Sequence, residues 1–314
     1  MGLFDKLRLT KKRGTETTTS GNPDLIQVFD KSGTPIHLTK ESWRTKVLPG
    51  MLRSNWDNPD ELYKVIVGTL QDGLPADVAE AAEHLYRIDP NHSRAVSAWA
   101  SVLLGLKRVD EAERTLRSHI EQYGEEGYVI TNLAKAHAAR NENDRAEATL
   151  WRALELDPNQ EMAVGWFAAL ANERNGKVAM VEAWERIAAI PGSWHAQLWL
   201  ARTALETHDI RRALALYREI LTRVGETVPV NLLKQMSGDL GMHGLLTELL
   251  ELTEPCFVPE VHGLEVGNNL IKANIELGHL DRARQIVNQL RMLPRPDWKP
   301  HLSYWQAEIE RKGG

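Results

Sequence analysis

The sequence predicts an all-α fold of stacked helix–turn–helix units, preceded by a small β-hairpin and closed by a C-terminal capping helix. Three observations carry this expectation. Chain-breaking residues recur at a nearly constant step, with Pro90, Gly124, Pro158, Pro191 and Gly225 separated by 34, 34, 33 and 34 residues. Alanine recurs in phase with them, at Ala112, Ala146, Ala179 and Ala213 and again at Ala100, Ala134 and Ala201. The chain of 314 residues is 42% hydrophobic but holds only 4 Phe and 6 Tyr, a balance rich in Ala and Leu that favours helices over sheets. Such a fixed period identifies a repeat architecture before any local structure is assigned.

The elements follow in order. Residues 1–22 form a basic tail. Its stretch LTKKRGTETTTSGN has no apolar pattern and reads as a flexible linker. Residues 23–57 hold LIQVFDKSGTPIHLT, two β-prone runs around Asp30-Lys31-Ser32-Gly33, with Pro35 confining the second run to a sheet edge. Thr39 is placed to cap a short helix through Trp43 to Leu48, ended by Pro49-Gly50. Asn58-Pro59-Asp60-Glu61 is a helix start and opens the array, residues 58–298. Each unit reads as two helices of about 13 residues, each about 20 Å long. Ala146, Leu150, Ala153 and Leu154 give one such helix its apolar stripe. Asp110, Asp144 and Asp281 recur at helix starts, where an Asp can accept a free N–H and complement the helix dipole. The unit VNLLKQMSGDLGMHGLLTELLELTEP departs most, with helices that read as short and His243 where a small residue is expected. Residues 299–314 carry Leu302, Trp305 and Ile309 on one face, the amphipathic cap that a solenoid needs at its end.

A 34-residue helix–turn–helix with small residues at these offsets and a closing Pro resembles the tetratricopeptide repeat. The resemblance covers about residues 58–294, with Trp99-Ala100, Leu133-Ala134 and Leu200-Ala201 standing where that family places a Leu-Gly pair. It implies a right-handed α-solenoid of about six to seven repeats whose first helices line a concave groove. It also implies that an Asn on those helices bonds a ligand backbone or carboxylate. Asn132-Leu-Ala-Lys135 returns as Asn269-Leu-Ile-Lys272 at one repeat phase, and Asn132 and Lys135 project from a different helix face than the stripe Ile130, Leu133, Ala134 and His137. The candidate peptide-binding groove is therefore Asn132, Lys135, Trp166, Trp199, Arg202, Asn269 and Lys272, with Trp166 facing the groove or, after a one-residue slip, the core. The family's ordered Lys/Asn carboxylate clamp is absent, which removes binding to chaperone tails of that kind.

Other function classes lack support in the residues. A formal net charge of −5 argues against a general nucleic-acid binder. Cys256 is the only cysteine, so neither an internal disulfide nor a thiolate metal cluster is expected, which points weakly to a reducing compartment. The chain has no zincin, phosphate-loop, dinucleotide or nucleophile-elbow pattern among its residues, and His84 and His137 read as structural. Neither an enzyme, a cofactor nor a metal site is expected. No apolar run reaches the roughly 18 residues of a membrane span. Leu3, Phe4 and Leu7 beside Lys6, Arg8, Lys11, Lys12 and Arg13 allow at most weak membrane contact by the tail. The expectation is a cytoplasmic, non-catalytic adaptor or scaffold that binds a peptide of a protein partner. The alternative is a structural subunit or homo-oligomeric scaffold using its convex face and termini. The partner's identity and the oligomeric state are left open.

Overall fold

Residues 25–29 and 35–313 are described by the computed structural model, and apart from one two-stranded ribbon their regular elements are helical. Strand β1 (Leu25–Phe29) pairs antiparallel with β2 (Pro35–Thr39), Leu25 opposite Thr39 and Phe29 opposite Pro35. The expected turn at Asp30–Gly33 and the basic tail and linker at 1–22 lie outside the described residues. Thr39 accepts the Ser42 N–H at 3.1 Å and so caps α1 (Lys40–Ser42). The expected stop at Pro49-Gly50 does not occur. A π-helical turn over Trp43–Val47 leads directly into α2 (Leu48–Ser54), whose first turn contains Pro49. A proline is harmless there because its missing N–H has no partner inside the helix.

The repeats follow. Asn58 accepts the Glu61 N–H at 3.3 Å and opens α3 (Pro59–Gln71), which a 3-10 turn over Pro75–Val78 joins to α4 (Ala79–Ile88). Then come α5 (His92–Gly105), α6 (Val109–Tyr123), α7 (Gly127–Ala139) and α8 (Asn143–Leu156). The 28 residues of α9 (Glu161–Ala188) are two helices fused across a kink at Gly176, whose φ of 77° glycine adopts without penalty. They are followed by α10 (His195–Glu206), α11 (Ile210–Val224), α12 (Val230–Met242), α13 (Leu246–Thr253), α14 (Pro259–Glu276), α15 (Leu280–Arg291) and α16 (Lys299–Gly313). The array is thus a succession of paired helices, as the repeat spacing predicts. In the divergent unit only α13 is short, at 8 residues. α12 reaches 13, and His243 lies beyond it as its C-cap rather than inside a helix.

The turn inside the units repeats atom for atom. After α5, the Lys107 N–H donates to the Leu104 carbonyl at 3.0 Å and the Arg108 N–H to Leu103 at 2.9 Å. The same pair of bonds closes α3, α7, α10, α12 and α14 around Gly73, Asn141, His208, Gly244 and Gly278, all at positive φ. This double bond pattern satisfies carbonyls that a helix end otherwise leaves open. Between units the recurring Asp-Pro-Asn makes a second device. Asp89 accepts the Asn91 N–H at 2.9 Å and Asp157 accepts the Asn159 N–H at 3.1 Å.

The aspartates at helix starts keep the expected place beside the positive end of the helix dipole but do not cap it. Arg108 and His279 occupy the cap positions of α6 and α15, so Asp110 and Asp281, like Asp144 in α8, fall in the first turn. Because each helix begins a residue before its Asp, that side chain cannot reach back to cap. Asp110 instead accepts the Arg140 guanidinium at 2.6 Å, and Glu113 accepts Arg140 and Arg117, which ties α6 to the end of α7. Burial alone would raise the Glu113 carboxyl, but these two arginines hold it below the usual range.

The chain divides into two compact units, one ending at Thr149 and one beginning at Leu150. The core of the first runs through Trp43, Leu48, Leu62, Ile66, Leu85, Val96, Leu103, Leu116 and Val129. That of the second runs through Leu198, Tyr217, Leu232, Met236, Leu270, Ile286, Leu302 and Ile309. Ala100, Ala112, Ala134, Ala146, Ala201 and Ala213, the alanines that recur in phase, are buried. Ala179 is only half-buried, close behind the Gly176 kink.

Candidate functional site

In the first unit, α5 and α7 are the first helices of consecutive repeats and pack against each other. Asn132 does not project into solvent. It is 5% exposed, donates to the Tyr128 carbonyl at 3.1 Å, and accepts from Lys135 Nζ at 3.1 Å and Ser101 Oγ at 3.4 Å. Periodicity put it off the apolar stripe, but α7 is enclosed on more than that stripe, and Thr131 and Asn132 are buried together. Lys135 is half-buried, and loss of solvent lowers its pKa. Its ammonium has no carboxylate partner among the described residues, and Tyr128, one turn before Asn132, is 63% exposed.

In the second unit the first helices are the Glu161 end of α9, then α10, α12 and α14. Phe167 fills the core at 5% exposure and Trp166 beside it is half-buried. Trp199 on α10 is half-buried, its ring stacked on Trp184 with centroids 5.5 Å apart and planes 9° apart. The Arg202 guanidinium lies 4.5 Å from the Trp199 ring centre. It also reaches α12, where Nε and Nη2 bond the two oxygens of Asp239 at 3.0 and 3.2 Å. Asp239 is 6% exposed and accepts the Tyr217 hydroxyl at 3.3 Å. Burial pushes the Asp239 carboxyl up, against the downward pull of Arg202, and burial pushes the Tyr217 phenol above its ordinary range. A fork-to-fork pair of this kind fixes the guanidinium plane. The result is an aromatic–cation pair carried by α10 and held by α12, with the indole N–H groups of Trp184 and Trp199 unpaired among the described residues.

Further along, Asn269 on α14 is half-buried and donates to Ser237 Oγ on α12 at 2.9 Å. Lys272 is exposed, 3.7 Å from Glu276. Asn132 and Asn269 therefore play the same part, each bonding a serine of the preceding first helix, and the recurring Asn-Leu-x-Lys records a polar rung between repeats. Arg202–Asp239, Lys234–Glu265 at 2.7 Å and Asn268 with the Trp305 indole at 2.7 Å are further rungs. The structure brings Trp199 together with Arg202 and Asn132 together with Lys135. It gives Trp166, Asn269 and Lys272 no contact with one another that would form a closed pocket.

Sequence reasoning missed Asp239 and Trp184. Asp239 had a signal in retrospect, since a carboxylate beside Leu240 on the buried face of α12 calls for a cation, and Arg202 stands one repeat earlier. Trp184 had none, because stacking depends on how two helices cross. His84 stacks on Trp56 with centroids 4.3 Å apart, and the His137 ring bonds Glu142 at 3.0 Å, both packing roles. Among the described residues no group of side chains is arranged to hold a metal ion, and no helix is long and apolar enough to cross a membrane.

No family model and no curated protein sequence matches the chain. It is similar to a tetratricopeptide repeat protein from Parabacteroides merdae at 12% identity and a TM-score of 0.33, over 80% of this chain and 98% of that one. MamA of Desulfovibrio magneticus is 16% identical over 46% of this chain and 81% of its own, with a TM-score of 0.33. Yeast Tom70 is 14% identical over 85% of this chain and 58% of its own, with a TM-score of 0.47. Likenesses of this size leave the site untouched. The helical repeats themselves, with their 34-residue step, agree with the tetratricopeptide family.

Proposed function

We propose that this chain is a non-catalytic interaction scaffold that holds an extended or helical peptide of a protein partner along the first-helix face of its repeats. The observation that carries the reading is the Trp199–Arg202 pair, clamped by Asp239 from the next repeat and stacked on Trp184. Aromatic and arginine side chains dominate binding hot spots, and side chains already fixed in place lose little entropy when a ligand arrives. Trp166, Asn269 and Lys272 would extend the surface within the second unit. Asn132 and Lys135 would serve a separate stretch in the first, with the half-buried Lys135 ammonium as its charge. The reading takes the cytoplasm as its compartment.

Selection of a random peptide library on the intact protein tests this. Enriched peptides are expected to bind at micromolar affinity, about −8 kcal/mol. Trp199→Ala should weaken them by about 2 kcal/mol or more, the usual hot-spot threshold, with the helical circular dichroism unchanged. A library that enriches nothing, or peptides indifferent to both Trp199→Ala and Arg202→Ala, would overturn the proposal.

A further inference from the structure

Where α15 ends and α16 begins, the chain runs through Leu293-Pro294-Arg295-Pro296 and leaves a cavity of about 530 Å³. Its apolar wall is Leu293, Pro294, Pro296 and Leu302, and its polar lining is Arg291, Arg295, Lys299 and Ser303. No lining residue is acidic, in a chain whose net charge is −5. The three cations are not equivalent. Arg295 is engaged, since Nε and Nη2 bond Asp297 at 3.0 and 2.8 Å and its guanidinium lies 4.5 Å from the Trp298 ring centre. Arg291 and Lys299 are exposed and have no carboxylate partner among the described residues. Met292, between Arg291 and Leu293 in the chain, is 85% exposed.

Cations at a helix C-terminus are commonly explained by the helix dipole, and that suffices for Arg291. It does not suffice for Lys299, which opens α16 and so stands at the positive end of that helix, where a cation is disfavoured. Two prolines leave the connecting segment with fixed φ and two fewer N–H groups, so the wall is stiff and apolar. A cavity of this size accepts one or two apolar side chains. We infer that this cavity is a docking site for an acidic peptide segment carrying a bulky apolar residue, the apolar side chain packing on Leu293, Pro294 and Pro296 above the buried Leu302 and flanking carboxylates pairing with Arg291 and Lys299. The surface is separate from the Trp199–Arg202 pair and stands or falls independently of it.

The test uses the full chain and a fluorescent octapeptide, EEDFLDEE, in an anisotropy titration at low and moderate salt. Saturable, salt-sensitive binding is expected, weakened at least tenfold by Arg291→Glu with Lys299→Glu. Both side chains are exposed, so the doubly substituted chain should keep its fold, which circular dichroism checks. The peptide with Phe and Leu replaced by Ser should also lose tenfold, and Trp199→Ala should change nothing. Equal binding of the serine peptide would mean a charge patch without a pocket and would overturn the inference. So would unchanged affinity in the doubly substituted chain, absence of binding at millimolar peptide, or binding to anionic vesicles in place of the peptide.

Discussion

Lys107, Asn141 and His208 occupy a backbone position that other repeats give to Gly73, Gly244 and Gly278. All lie at positive φ, 61–64° for the three side-chain residues, inside turns with identical hydrogen bonds. An L-residue there carries about 1–2 kcal/mol of steric cost, less for Asn, whose short polar side chain tolerates the region. Glycine removes that cost but gains about 0.4–1 kcal/mol of freedom in the unfolded chain. Lys107→Gly and His208→Gly should therefore stabilise by about 0.5–1 kcal/mol each, and Asn141→Gly by less. The reverse change is also clean. A Cβ built at Gly73, Gly244 or Gly278 meets no atom within 4 Å, so alanine at Gly278 should cost roughly 1 kcal/mol through backbone conformation alone. Urea unfolding followed by helical circular dichroism reads each change as a midpoint shift at constant slope. Lys107→Gly and His208→Gly lowering the midpoint, or Gly278→Ala leaving it unmoved, would refute the reasoning.

Removing Asp239 strands the Arg202 guanidinium beside a buried position, and Asp239→Ala should cost about 3 kcal/mol in the same assay. A loss under about 0.5 kcal/mol would mean that the pair holds nothing in place. His195 is 2% exposed with Nε2 unpartnered among the described residues, and burial lowers its pKa. Its folded pKa lies below the unfolded value of about 6.5, so its contribution is whole above that pH and is lost as pH falls from there through the folded pKa. His195→Gln should flatten the stability–pH curve below about 6.5, and an unchanged slope would count against the assignment. Deleting residues 299–314 uncovers the core that Leu302 and Ile309 close, at 3% and 0% exposure. The two side chains alone stand for about 3–6 kcal/mol of burial, so the truncated chain should aggregate or melt earlier. Equal stability and solubility would remove α16 from the cap role.

Much of the repeat was legible because it is written in local chemistry. Asn58-Pro59 starts a helix wherever it stands, and Gly124 and Gly225 end α6 and α11 at positive φ as C-caps. Leu302 and Ile309 share a helix face on spacing alone. The turn inside each unit was hidden because Lys107, Asn141 and His208 occupy a glycine position, so composition gave no sign of it. Asp110 and Asp281 were misread as caps because one residue of helix boundary separates a cap from a first-turn ion pair. Pro49 was misread as a stop because the same residue that ends one helix can begin the next. At the site, spacing put Trp199 and Arg202 on one face, but what fixes them, Asp239 and Trp184, comes from neighbouring helices. The recurrence of Asn132 and Asn269 was visible, whereas its bonding to Ser101 and Ser237 depends on contacts between repeats that one helix's pattern does not contain.

The central claim, that the first-helix face receives a partner peptide, is tested most directly by photo-cross-linking. A display-selected peptide carrying a benzophenone side chain would be irradiated with the intact protein and the adducts located by mass spectrometry. The account predicts adducts on the first helices, within α10 and α12 around Trp199, Arg202 and Lys234, and their loss in Trp199→Ala. Adducts concentrated on the second helices α11, α13 and α15, and undiminished by Trp199→Ala, would contradict it.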